Sequence, residues 1–577
     1  MADIETALQL HRSGRWDEAA RLYGRILAAE PGNAGIHNNL GTALQEQGNV
    51  DAAIASYRRA LEIEPGMVNA LCNLGVALQE RFDARSDAES LDKALRVNPN
   101  YVARPEDIDA AAQDRAEDLS EAIACYRRAI AIDGGHPEIH NNLGVALQQS
   151  GDFPASVECY RRAVAIDPDF FEAHNNLGKA LQELSERDEA SACYRKVIEI
   201  APDHAEAHCL LGGLLIDGGR FADAEREILE AIRLNPENDQ AYAELGVAFV
   251  GMGRFEEAQE VILYPVERAR SPERPPVLDD DVVSRLNETK LRHDIEQLEY
   301  LRAGGKLDPT YAAVVPEYER VLGAMDARAY ARMDRIVPPV SDLFARTYNR
   351  LLHVAPAPVL RGPTLNPALN GAAIEADFNG GDPRLVIIDD FLSADAVVGL
   401  RRFCLDSTIW FNVADAGDVG ATMANGFACP LLFQIVQDIR ELFPAVLGHH
   451  QFASCWAYKY YGHYSGVDMH ADEGAVSVNF WITPDEANCD ETNGGLVFWN
   501  KRAPMDYFRK SRIDKNKLLH GLANEPDAKP IRVPYRCNRA ALFDSRLTHK
   551  TDELHFRDGY ENRRINVTLV FGKPSPA

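Results

Sequence analysis

A 34-residue period governs the first part of the chain. Pro31, Pro65, Pro99, Pro168, Pro202 and Pro236 fall on one register, with Gly134 in the missing place after a one-residue slip. Gly41, Gly75, Gly144, Gly178, Gly212 and Gly246 form a second register, and Tyr23, Tyr57, Tyr126, Tyr160 and Tyr194 a third. Self-similarity at this period commits a chain to a stack of small units, each burying its apolar face on the next. Each unit reads as two amphipathic helices, for example His37 to Gly48 and Asp51 to Ile63, with proline closing the second. A glycine inside the first helix costs about 1 kcal/mol relative to alanine. Close approach of the neighbouring helix is therefore expected at that position.

The segment His-Asn-Asn-Leu-Gly, at 140–144 and again at 174–178, resembles the tetratricopeptide repeat. About seven repeats and a partial eighth are expected over residues 1–265, as an all-α solenoid with a degenerate fourth repeat around Ala103 to Leu119. Asn39, Asn73, Asn142 and Asn176 stand two residues before the glycine. The resemblance implies that such asparagines line the concave face and bond the backbone of an extended peptide, since an amide both donates and accepts. A polar position on an exposed helix face is the other reading, and both stay open. Leu210 and Glu244 end the ladder. His37, His140, His174 and His208 also recur with the repeat, which spreads them apart and suits packing and solvation rather than a metal.

The 577 residues exceed what one hydrophobic core organises, so two or more domains are expected. A net charge of -27 opposes a nucleic-acid backbone, so no nucleic-acid partner is expected. No apolar run resembles a membrane span or a secretory signal, which points to a cytoplasmic protein without a membrane partner. Cys125, Cys159 and Cys193 follow the repeat and read as reduced, buried apolar residues.

The repeat pattern breaks in a Pro- and Asp-rich stretch, Ser271 to Asp281, and residues 266–382 read as a helical connector. From Leu385 the pattern changes to short β-type runs: Leu385 to Ile388, Phe452 to Tyr461, Ala475 to Thr483, Leu496 to Trp499, Ala540 to Phe543 and Arg564 to Phe571. Helical patterns occupy Ala394 to Cys404 and Leu431 to Leu442. Residues 383–577 therefore suggest a sandwich or barrel.

Within that part lie His470, Ala471 and Asp472, then His549, then Arg564 on a strand. Two imidazoles and one carboxylate on one face leave coordination positions open, which suits non-haem iron(II). The order strand, His-x-Asp, strands, His, strand with Arg is similar to the double-stranded β-helix, or jelly-roll, oxygenases of the prolyl hydroxylase type, over about residues 385 to 573. The resemblance implies iron(II) held by His470, Asp472 and His549, and 2-oxoglutarate as co-substrate. It implies that Arg564 pairs with the far carboxylate, which a planar guanidinium holds through two hydrogen bonds, and that Tyr460 assists. Arg563 is the alternative to Arg564, since strand alternation turns only one inward. His555 is the alternative to His549, because the gap from His549 to Arg564 is longer than usual for the family. Trp499, Tyr507 and Phe508 read as core or loop-anchoring aromatics.

The function expected from these features is hydroxylation of a protein or peptide captured by the solenoid. The alternatives are a repeat scaffold with a non-catalytic jelly roll, and an oxygenase acting on a small molecule. Oligomeric state is not legible.

Overall fold

The computed structural model describes residues 2–86, 105–273, 286–311, 313–329, 340–414, 418–460, 468–509 and 512–574. The chain forms two compact units, Met1–Leu211 and Gly212–Ala577.

In the first unit, antiparallel helix pairs follow one another: Ala2–Arg12 with Trp16–Ala29, Ala34–Gln45 with Val50–Ile63, Val68–Ser86 with Pro105–Ile132, Pro137–Gln149 with Phe153–Ile166, and Phe171–Glu183 with Arg187–Ile200. The glycine register is the close approach that the sequence asks for. A methyl group on Gly41 would lie 2.5 Å from the ring of Tyr57, and one on Gly144 equally close to Tyr160. Each tyrosine is buried, and its hydroxyl donates to a glutamine of the first helix, Tyr57 to Gln45 and Tyr160 to Gln148.

The third pair departs from expectation. Gly75 meets Tyr126, on a helix that starts only at Pro105. Gly75 and Tyr126 stand 51 positions apart against 16 for Gly41 and Tyr57, so the third repeat carries an insertion that includes the ends of its two helices, which Arg81 ties together through Asp118. It is not a degenerate fourth repeat. The tyrosine and glycine registers survive because the insertion is about one period long; Pro99 and the start of that stretch lie outside the described residues.

The second unit begins inside the solenoid. Phe221–Leu234, Asp239–Gly251 and Phe255–Arg270 continue the repeat form, with Ile228 and Ile262 filling the places of the tyrosines opposite Gly212 and Gly246. The last of these helices docks on the C-terminal part: the Gln259 amide donates to the Ala428 carbonyl, and Arg270 lies over the Phe411 ring at 4.1 Å. Residue 265 thus marks the end of a pattern, while packing divides the chain earlier. Helices Glu288–Ala303, Val314–Ala329 and Asp342–Thr347 share a core of Leu291, Leu298, Tyr318, Phe344 and Tyr348. They too lean on the C-terminal part, where Gln297 donates to the Leu405 and Ser407 carbonyls.

Among the described residues, ten strands complete the unit: β1 Leu385–Ile388, β2 Asn412–Ala414, β3 Asp418–Thr422, β4 Phe452–Tyr460, β5 Val476–Trp481, β6 Leu496–Arg502, β7 Pro530–Val533, β8 Ala540–Asp544, β9 Leu547–Thr551 and β10 Ile565–Phe571. They form two antiparallel sheets, ordered β1-β8-β5-β10-β4-β3-β2 and β7-β6-β9. The sheets face each other across Trp481, Leu496, Phe498, Val533, Phe543 and Leu547. Strands β5, β8 and β10 are buried at every position, because the outer face of the large sheet is covered as well. Helices Ala394–Asp406 and Pro430–Leu442 cover it, as the Phe433–Phe452 ring contact and the bond from Lys459 to the Cys404 carbonyl show. All ten cysteines are unpaired, Cys125 and Cys193 buried and Cys159 partly so. Among the described residues, no helix is long and apolar enough to cross a membrane.

Candidate metal centre

The approach to β5 is pinned to β9 by backbone alone. His470 and His549 exchange two hydrogen bonds, 2.8 and 2.9 Å, across an isolated bridge, and the Asp472 N–H donates to the Ser545 carbonyl at 2.9 Å. Extended backbone sends residues two apart to one side, so the side chains of His470 and Asp472 converge there with that of His549. The candidate ligand atoms of the three lie within 4.8 Å of one another. Asp472 Oδ1 is 3.7 Å from His470 Nε2 and 3.8 Å from His549 Nε2.

The surrounding bonds orient this set. Nδ1 of His470 is 2.8 Å from the Asp468 carbonyl, and Nδ1 of His549 is 2.8 Å from the Leu547 carbonyl. A carbonyl only accepts, so each ring carries its proton on Nδ1 and turns the Nε2 lone pair toward Asp472. Asp472 Oδ2 accepts from Ser477 at 2.8 Å, which leaves Oδ1 for the cluster. Burial, and then the neighbouring His470, pull the His549 pKa down to about 4 against the opposing pull of Asp472. His549 is thereby neutral and able to ligate at ordinary pH. His549 and Asp472 are buried, whereas the His470 side chain is 34% exposed, so the cluster opens to solvent on the His470 side.

Deeper between the sheets stands Arg564, 1% exposed. Its guanidinium lies over the rings of Tyr460, at 4.7 Å, and Trp481, at 5.7 Å. Its polar contacts include the Gly495 carbonyl at 3.2 Å, Asn566 Oδ1 at 3.5 Å and the Tyr460 side chain, and its Nε has no partner. Among the described residues no carboxylate pairs with it. A buried, uncompensated charge costs several kcal/mol, so an anionic guest complements this place. Trp481 Nε1 and Asn479 Oδ1 also lack partners, and the Tyr460 hydroxyl lies 3.2 Å from Thr551 Oγ1 and within side-chain hydrogen-bonding reach of Arg564. The donor set of two imidazoles and a carboxylate suits iron(II), and the arginine pocket suits the distal carboxylate of a dicarboxylic acid.

The two open alternatives separate. Arg563 points outward and pairs with Glu296 at 2.7 Å. His555 is half-exposed, 3.9 Å from Asp490, and is no part of the cluster. Tyr507 is buried with Met469, Ala471 and Leu519, and Trp499 and Phe508 pack against this group, an anchoring role as expected. The Gly-containing turn at Tyr461 and Gly462 lies outside the described residues.

Sequence reasoning missed Trp481, Ser477, Asn479 and Asn566. The signal was present in β10, where Arg564, Asn566 and Thr568 alternate with Ile565, Val567 and Leu569 in a buried strand. That polar stripe extends to β5, since Asn566 pairs with Trp481 and Thr568 with Asn479.

The asparagine register of the solenoid is half-buried. Asn73 donates to Asn38 Oδ1 at 3.1 Å, and Asn176 to Asn141 Oδ1 at 3.0 Å, so these two amides tie successive repeats together. His140, His174 and His208 each bond a carbonyl of the preceding turn.

Family models for the tetratricopeptide repeat match residues 5–68, 116–151, 147–185, 175–239 and 211–264. The N-terminal part therefore carries tetratricopeptide repeats. Among curated proteins none matches the chain. Similar solved structures include MamA, at 20% identity over 34% of this chain and 95% of that one, with a TM-score of 0.27. YrrB, described as a TPR protein with an unusual peptide-binding site, is 18% identical over 38% of this chain and 96% of its own, with a TM-score of 0.30. The pilF protein of Pseudomonas aeruginosa is 17% identical over 41% of this chain and 91% of its own, also with a TM-score of 0.30.

Proposed function

We propose that the C-terminal sandwich is a jelly-roll oxygenase, contained within residues 383–577, that uses iron(II) and 2-oxoglutarate to hydroxylate a polypeptide captured by the repeats in the cytoplasm. The observation that carries this reading is the buried Arg564 guanidinium without a carboxylate partner, on the inner face of the same sandwich as the His470, Asp472 and His549 cluster. Iron and 2-oxoglutarate, when bound, supply the oxidation of a C–H bond by dioxygen, with succinate and carbon dioxide as the other products.

The chain's own part comes from the geometry. His470 Nε2, His549 Nε2 and Asp472 Oδ1 would hold the metal. The Asp468 and Leu547 carbonyls fix the two rings, and Ser477 fixes the carboxylate. Arg564 would receive the distal carboxylate, with the Tyr460 side chain beside it. Phe498 and Phe543, 5.4 and 5.0 Å from the His549 ring, keep water from that ligand. Asn39, Asn73, Asn142 and Asn176 offer the captured polypeptide what amide capacity the inter-repeat bonds leave over.

The test is succinate formation from 2-oxoglutarate by the purified chain under air with iron(II). Turnover in the wild type that His549→Ala abolishes supports the reading. Absence of turnover with and without candidate peptides, in folded iron-loaded protein, counts against it. A second reading, a scaffold with a non-catalytic jelly roll, is favoured by the repeats themselves, since such repeats bind peptides and proteins.

A further inference from the structure

Within the second unit, the repeat helices Phe221–Leu234 and Asp239–Gly251 meet helix Pro430–Leu442 and the start of β4 around a cavity of about 240 Å³. It lies on the outer side of the large sheet, which helix Pro430–Leu442 covers, and none of its lining residues belongs to the metal cluster. Phe221, Val247, Val250, Val436 and Phe452 give it apolar walls. Gly251 leaves room for the Phe221 ring, which a methyl group at that position would overlap. Pockets for drug-sized ligands start at about 300 Å³, so this one suits a smaller body.

Two polar side chains of the lining have unmet needs. Arg440 Nε is buried without a hydrogen-bond partner, and so is Gln451 Oε1. Among the described residues no carboxylate pairs with Arg440; burial lowers the pKa of its guanidinium and no neighbouring acid raises it. Such a guanidinium favours a carboxylate, which it can hold through two hydrogen bonds. A buried amide oxygen calls instead for a donor. Glu441 also lines the cavity, exposed and accepting from Gln437 at 3.0 Å. A bare anion is therefore repelled by Glu441 and by a chain of net charge -27. An ammonium group beside the carboxylate removes that repulsion and supplies the donor that Gln451 lacks.

We propose that this cavity binds a free apolar α-amino acid of the size of leucine or phenylalanine. Its carboxylate meets Arg440, its ammonium group faces Gln451 Oε1 and Glu441, and its side chain enters the apolar walls. Those walls come from both the last repeats and the C-terminal part, so the guest stabilises their contact. The site is separate from the metal cluster and stands whether or not the oxygenase reading holds.

The test is isothermal titration of the full chain with L-leucine and L-phenylalanine at millimolar concentration, beside isocaproate, which lacks the amine, and isoamylamine, which lacks the carboxylate. The proposal expects saturable binding of at least one of the two amino acids, about tenfold or more tighter than either control, with a rise in melting temperature. Arg440→Gln is expected to weaken that binding about tenfold or more, and Val250→Trp, which fills the cavity, to abolish it, both in variants shown to keep the ligand-free melting temperature. No saturable binding of either amino acid, or binding unchanged in Arg440→Gln, overturns the proposal. Isocaproate binding as tightly as leucine overturns it in favour of a bare carboxylate. Iron(II) binding, titrated on the same preparations, stays at wild-type strength in Arg440→Gln, so failure of the oxygenase reading shows separately.

Discussion

His470 and His549 are joined twice by backbone hydrogen bonds, and their rings stand 4.2 Å apart. The two imidazoles are thus positioned by main chain before any metal arrives. This predicts that His549→Ala abolishes tight iron(II) binding while leaving the fold intact, because the backbone bridge does not need the ring. His555→Ala is expected to bind iron like the wild type. Equilibrium dialysis against iron(II) under nitrogen, with circular dichroism as the fold control, checks both.

Arg564 and Trp481 each present an unpartnered N–H group to the interior. Arg564→Lys keeps the charge but loses the planar fork, so 2-oxoglutarate binding in the presence of manganese(II) is expected to weaken about tenfold or more. Trp481→Phe removes one donor and keeps the packing, for an expected loss of about 0.5–1.5 kcal/mol. Isothermal titration reads both. Unchanged affinity in Arg564→Lys contradicts the assignment of that pocket.

Much of this site is legible as spacing. Strands β1, β4, β5, β6, β8 and β10 coincide with apolar runs that any reading of alternation finds, and the His470, Asp472 and His549 cluster lies where they lead. Strand β9 is harder, because Leu547 to Thr551 carries His549 and Lys550 and is a strand only through its pairing with β6. Strands β2, β3 and β7 are short and likewise take their form from their partners. The choice between Arg563 and Arg564 needs the outward partner Glu296, which lies far away in sequence on helix Glu288–Ala303. The third repeat misleads for a related reason: an insertion about one period long keeps the glycine and tyrosine registers to within one residue, so the contact of Gly75 with Tyr126 is what reveals it.

Packing in the solenoid gives a stability prediction. Gly144→Ala gains helix propensity worth about 1 kcal/mol, yet its methyl group would meet the Tyr160 ring at 2.5 Å. Overpacking of this kind costs about 1–3 kcal/mol, so the variant is expected to be less stable. Adding Tyr160→Leu to it should return part of the loss. Chemical denaturation of both variants beside the wild type checks the order.

His293 is buried in the connector, and its pKa is lowered to about 3, first by burial and then by Lys459 and Lys290, against the raising effect of Asp294. The folded state keeps the ring neutral while the unfolded chain protonates it below about 6.5. Its contribution is therefore fully present above pH 6.5 and is lost as pH falls toward 3. The slope is at most about 1.4 kcal/mol per pH unit. His293→Gln should be less pH-sensitive than the wild type between pH 6.5 and 4, measured by denaturant melts in paired buffers.

The most direct test of the central claim is an anaerobic absorbance titration of the full chain, first with iron(II) and then with 2-oxoglutarate, in wild type, His549→Ala and His555→Ala. A visible charge-transfer band that forms in the wild type and in His555→Ala, but not in His549→Ala, is the predicted result. No band in folded, iron-loaded wild-type protein contradicts the oxygenase reading and leaves the repeat scaffold as the better description.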